Sequence, residues 1–209
     1  MSLSGKFPVR ILELEKRLKD VAAKNGIVYA ANYTDDEIIF ANEVDFEFQT
    51  WIELENVWGL YTVDRYLMAV SKDTIIKYDF RKERHWKSFV QDACRTCVLG
   101  DLVYITRMGN SSLTILNFKD GSNICQIENS LLENPLGVCE FFTEAVLVAN
   151  NERKCLDLFN KRGELCQSIT LKFEPSFIRL SAVQSQIFLY VVDSESPTVH
   201  FFIKKIEKN

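Results

Sequence analysis

The residues able to do chemistry are few and badly spaced for it. Two histidines occur, His85 and His200, so imidazole-based catalysis is thinly supplied. Six cysteines occur: Cys94, Cys97, Cys125, Cys139, Cys155 and Cys166. Cys94-x-x-Cys97 has zinc-ligand spacing, but a structural zinc site takes four ligands. Neither a second C-x-x-C nor a spaced histidine pair accompanies it. Most of the six cysteines lie in segments that read as strands, as small apolar residues do. Free buried thiols are therefore expected, with no metal, no cofactor and no redox pair. Asp35 and Asp36 are adjacent, so on an extended chain they point opposite ways and form no carboxylate pair. Nucleophile elbow, P-loop, dinucleotide fingerprint and H-E-x-x-H are all missing from the sequence. The run Arg81-Lys82-Glu83-Arg84-His85-Trp86-Lys87 places an indole among bases. That combination can stack a nucleobase and neutralise phosphate. The bland alternative is a solvated turn with Trp86 packed inward, and the repeat described next favours it. No catalytic residue is assigned, and the chain is expected not to be an enzyme.

Any such residues must be positioned by the surrounding elements, and these repeat. Five apolar runs end in a small or polar residue: IVYAAN (27–32), YLMAVS (66–71), LVYITR (102–107), AVLVAN (145–150) and FLYVVD (188–193). A second series follows them: IIFANE (38–43), IIKYDF (75–80), LTILNF (113–118), CLDLFN (155–160) and VHFFIK (199–204). In both series the starts recur every 36–44 residues. The runs are rich in Ile, Val, Phe and Tyr and are bounded by Asn, Asp, Ser, Lys and Gly, which is strand chemistry. Weaker strands precede the pairs: DVAAK (20–24), GLYTV (59–63), TCVLG (96–100), GVCEF (137–141) and IRLSAV (178–183). Others follow the first four: FEFQTWIEL (46–54), RHWKSFVQ (84–91), NICQIEN (123–129) and ELCQSITLKF (164–173). Four antiparallel strands at this period make one blade of a β-propeller.

The expected fold is thus all-β, a single propeller of about five blades over residues 1–209. Its units run roughly 16–55, 56–92, 93–133, 134–174 and 175–209. The fifth unit lacks an outer strand, and KFPVRILELE (6–15) is the candidate to supply it and close the ring. The competing expectation for 9–24 is a helix, because Ile11, Leu14, Leu18 and Val21 are spaced three or four apart.

Composition agrees with one globular domain. The chain has 209 residues, of which 47% are apolar and 26% charged. No apolar run approaches the roughly 20 residues of a membrane-spanning helix. MSLSGKFPVR lacks the apolar stretch of a secretory signal, so an intracellular, cytoplasmic location is expected. A net charge of −4 gives nucleic acid no global attraction.

The fourth unit carries a resemblance to a known family. Asn134-Pro135-Leu136-Gly137-Val138 is followed by AVLVANN and by CLDLFNKRGELCQSI. This resembles an NHL repeat, with its Pro-x-Gly opening, its Val-Ala-Asn second strand, its third strand ending in Phe and its glycine turn. The second unit matches with Asn56-Val57-Trp58-Gly59-Leu60, LMAVS and IIKYDF; the third keeps LTILNFKDGSNI and the fifth keeps YVVD. None has the Trp-Asp ending or Gly-His opening of a WD40 repeat. The resemblance implies a module that binds protein, peptide or RNA. A minority of six-bladed relatives are lyases or hydrolases that use histidines and a central metal.

Three functions follow: a non-enzymatic protein- or peptide-binding scaffold, an RNA-binding propeller, and a propeller lyase or lactonase. The acidic charge disfavours the second and the two histidines disfavour the third. The binding surface is expected on the turns between second and third strands: 32–37, 72–74, 107–112, 150–154 and 193–198. The candidate partner-binding residues there are Tyr33, Asp35, Asp36, Asp73, Arg107, Met108, Glu152, Arg153, Asp193 and Glu195. With Glu37 these turns hold seven acids against the four bases Lys72, Arg107, Arg153 and Lys154. Such a face favours a basic or mixed peptide and repels phosphate. The chain is expected to work as a monomer or within a larger complex, away from membranes. The ring-closure expectation has a direct test. Deleting residues 1–15 should lower the melting temperature, with a loss of several kcal/mol at roughly 25 cal/mol per Å² of apolar surface. An unchanged melting temperature would argue against closure by this segment.

Overall fold

The computed structural model describes residues 17–142, 144–183, 186–196 and 198–205. Nineteen strands and no helix occur among them. The first sheet is β1 (Leu18–Lys24), β2 (Ile27–Asn32), β3 (Glu37–Asn42) and β4 (Gln49–Glu53). The second is β5 (Val57–Val63), β6 (Tyr66–Ser71), β7 (Thr74–Asp79) and β8 (Arg84–Phe89). The third is β9 (Ala93–Leu99), β10 (Leu102–Arg107), β11 (Ser112–Asn117) and β12 (Asn123–Glu128). The fourth is β13 (Pro135–Phe141), β14 (Ala145–Asn150), β15 (Cys155–Asn160) and β16 (Leu165–Thr170). The fifth is β17 (Pro175–Val183), β18 (Gln186–Asp193) and β19 (Val199–Lys205). Each sheet is an antiparallel meander in chain order, four with four strands and the last with three. The five sheets are the blades of a β-propeller, with β1, β5, β9, β13 and β17 packed innermost, each against the next.

Residues 18–24 are strand, as the repeat required, and not helix. The proposed closing strand, 6–15, lies outside the described residues. Among those described, β18 is the neighbour of β19, and Phe201 and Ile203 are exposed. Every inner strand starts two or three residues before the predicted position, because a register shift interrupts it. The shifts fall between Leu18 and Asp20, Val57 and Gly59, Pro135 and Gly137, and Pro175 and Phe177; in the third blade β9 shifts opposite Ile105 and Arg107. A bulge breaks strict alternation and hides the first residues of the strand from a pattern reading. Few glycines are needed for the turns. Asn25, Asp36, Asp64, Lys72 and Asp92, among others, take the positive φ, which Asn and Asp tolerate well.

The core lies between blades. Ala22, Tyr29, Trp51, Leu60, Leu67 and Tyr78 join the first blade to the second. Met68, Trp86, Val103, Tyr104, Leu113, Val146 and Phe159 belong to one cluster through the second, third and fourth. Cys139, Leu147, Leu156, Ile178 and Val191 join the fourth to the fifth. Near the axis the strands approach so closely that a side chain no longer fits. A Cβ on Gly59 would lie 2.8 Å from the Cys94 carbonyl oxygen, and one on Gly137 would lie 2.9 Å from that of Ser176.

One polar tie crosses this apolar interior. Asp20 is buried and its Oδ2 accepts the Leu60 N–H at 2.9 Å. Arg95 Nε of the third blade lies 3.4 Å from the same oxygen, too poorly aligned for a hydrogen bond, while its NH2 group donates to the Lys19 carbonyl at 3.1 Å. Burial pushes the Asp20 carboxyl up from the ordinary aspartate range; Arg95, the Leu60 N–H and Arg179 pull it back. Arg179 of the fifth blade lies 5.2 Å from the Tyr61 ring of the second. Two stability tests follow. Asp20→Ala strands the buried Leu60 N–H and leaves the half-buried Arg95 without its carboxylate, and should cost roughly 1–3 kcal/mol in urea unfolding, with Asp20→Asn costing less. Gly59→Ala should cost roughly 1–3 kcal/mol by overpacking against backbone that cannot yield.

Candidate functional site

The turns joining second to third strands share one face with the links that carry each blade into the next. Side chains on this face mostly hold the face itself. The Asp36 carboxylate accepts the Asn56 N–H at 2.9 Å, and the Asp73 carboxylate accepts the Asp92 N–H at 2.9 Å. Gly109 N–H donates to Asn134 Oδ1 at 3.0 Å, and the Asn151 amide donates to Ser194 Oγ at 3.1 Å. The turns of the first four blades are thereby fastened to the next blade. Arg107 Nε donates to the Gln91 carbonyl at 2.9 Å, and Arg153 donates to the Leu131 carbonyl at 2.7 Å. Asp193 accepts the Glu195 N–H and the Ser196 hydroxyl, which hold its carboxyl below the ordinary range. Asp35 accepts from the Asn32 amide at 2.9 Å. Glu37 is not on the open face: it is buried, accepting from Asn32 at 2.8 Å and from Thr50 at 2.6 Å. Of the ten candidates, Asp35, Asp36, Asp73, Arg107, Arg153 and Asp193 serve the loops. Tyr33, Met108, Glu152 and Glu195 project to solvent.

What the sequence reading missed is an aromatic strip beside them. Tyr33 and Trp58, the latter at the start of β5, have ring centroids 5.8 Å apart at 53°. Lys19 Nζ lies 4.8 Å from the Tyr33 centroid and 4.6 Å from that of Trp58. Trp58 continues into a cleft of about 310 Å³ with Lys72, Asp73, Asp92, Ala93, Met108 and Gly109. A larger cleft of about 550 Å³, between the first two blades, is walled by Asp35, Asp36, Glu53, Leu54, Glu55, Ser71 and Lys87. The arrangement offers cation–π contacts, apolar contact and carboxylates together.

Other chemistry-bearing groups have structural partners. Trp86 is packed inward and donates to the Phe118 carbonyl at 3.0 Å, and β8 starts at Arg84, where the run 84–91 places it. Lys77 is buried against the Tyr66 and Phe118 rings and donates to the same carbonyl at 2.9 Å; burial pushes its pKa down. Asp79, Glu83 and His85 come close enough to share an ion, yet Asp79 already accepts the Arg81 and Glu83 N–H groups. All six cysteines are free, and all six lie on strands. Cys94, Cys97, Cys139 and Cys155 are buried; burial pushes the Cys139 and Cys155 thiols up to about 12, which suppresses the reactive thiolate.

No protein-family model matches the sequence, and no curated protein sequence matches it. Solved structures do: 1030 chains match, so the architecture is common and selects no function by itself. BamB from Moraxella catarrhalis aligns with a TM-score of 0.62 at 14% identity, covering 87% of this chain and 56% of that one. This chain therefore spans little more than half of that relative's length. A functionally unknown protein from Desulfotomaculum acetoxidans DSM 771 aligns with a TM-score of 0.64 at 12% identity, covering 91% of this chain and 70% of that one. At these identities the likeness is one of fold: the chain is a five-bladed β-propeller.

Proposed function

We propose that this propeller is a non-enzymatic binding module of NHL-like type, working inside the cell, which takes a basic or mixed-charge segment of another protein on its turn face. The observation that carries the reading is the strip of exposed Tyr33 and Met108 with half-buried Trp58, set between two clefts that are lined with carboxylates. A rigid platform is a requirement for such a role, and the turn-to-blade hydrogen bonds provide one. Excess acid on the face favours a cationic partner and slows approach of phosphate backbones. A propeller partner surface also agrees with loops whose polar groups are spent on their own conformation, leaving aromatic and apolar groups for contact.

The triple variant Tyr33→Ser, Met108→Ser, Glu195→Lys changes exposed residues and should keep the wild-type melting curve. It is expected to lose the proteins that the wild type captures in affinity purification with mass spectrometry. Retention of those partners at wild-type levels would move the binding surface away from this face. Tight, salt-sensitive RNA binding by the wild type would overturn the charge argument and favour an RNA-binding propeller.

A further inference from the structure

The side chain of Lys19 occupies an unusual place. Its backbone is fixed at the axis, where its carbonyl accepts from Arg95 at 3.1 Å. Its ammonium sits by two aromatic rings at 4.8 and 4.6 Å, within the range of a cation–π contact. Among the described residues Lys19 makes no ion pair with a carboxylate. Tyr33 is 38% exposed and Trp58 is half-buried, so the seat is partly open to solvent as well as to Lys19. The pair is thus a two-walled seat for a cation, and its present occupant hangs on a flexible stem that can leave without moving the backbone. Beyond Trp58 the cleft with Asp73 and Asp92 continues the favourable potential for a positive ligand.

We infer that Lys19 is an internal stand-in for a partner's cationic side chain, and that a lysine or arginine of the bound segment displaces it from between Tyr33 and Trp58. This rests on reading the turn face as the partner-binding surface, and it names the feature that face would recognise. Lys19 then acts as a competitor: removing it opens the seat, whereas an ordinary surface contact would be weakened by its loss.

The experiment uses the whole chain, wild type and Lys19→Ala, with small probes at constant ionic strength: tetramethylammonium chloride, methylguanidinium chloride and neutral 3,3-dimethylbutanol. Three tryptophans give three indole N–H signals by NMR, and the buried Trp51 and Trp86 serve as internal references. Lys19→Ala is expected to show a saturable shift of the Trp58 signal with the cations, about two- to fivefold tighter than wild type, as loss of one competing exposed cation–π contact implies. Tightest binding of methylguanidinium points to arginine, and of tetramethylammonium to lysine or its methylated forms. The double variant Lys19→Ala, Tyr33→Ala should lose the response. A folded Lys19→Ala protein with no saturable shift, with wild-type affinity, or with an equal response to the neutral alcohol would overturn the inference. Capture of partners by the turn face is read separately. Its survival beside a failed cation titration would reject the seat and keep the face, and a cation response with no partner capture would do the reverse.

Discussion

Each blade of this protein is a twisted sheet with two apolar faces, and a single sheet has no interior of its own in which to bury either. Everything else follows from that constraint. The buried clusters lie between blades and not within them: Tyr29 and Trp51 meet Leu60 and Leu67, and Cys139 and Leu147 meet Ile178 and Val191. Packing sheets face to face around an axis forces their inner strands together, most tightly where Gly59 and Gly137 pass the backbone of the following blade. It also leaves Asp20 in a place where water cannot reach, so its charge depends on Arg95 and the Leu60 N–H. A polar group there is costly unless satisfied.

The architecture was largely legible because the physics of each unit is repeated. β2, β6, β10, β14 and β15 have the boundaries that their apolar runs predict. They are central strands, covered on both faces, and therefore read as uninterrupted apolar stretches. Inner strands were legible only in part. Their first residues sit ahead of a bulge, as at Val57 before Gly59 and Pro135 before Gly137, where alternation fails. The outer β12 and β16 are mostly exposed, so their weaker patterns were still found through the period rather than through hydrophobicity.

The site was harder to read, for a reason the turns make plain. A carboxylate in a loop can face a ligand or hold the loop, and the sequence looks the same in both cases. Asp36 and Asp73 hold loops, and Glu37 turns inward altogether. In the sequence Trp58 stands out only as part of the Asn56–Leu60 opening of the second unit. Its neighbours Tyr33 and Lys19 are 25 and 39 residues away in the sequence, and no local pattern brings them together. Only the stacking of the first blade on the second does.

The hydrogen bonds that fasten turns to the following blade have a consequence for blade number. They couple a unit only to its successor, in the manner of a nearest-neighbour array. Loss of a middle blade would therefore break only the fastenings on either side of it. The tie from Asp20 to Arg95 is different, because it skips a blade and measures the curvature of the ring. A change in the number of blades would alter that curvature and with it the distance between Asp20 and Arg95.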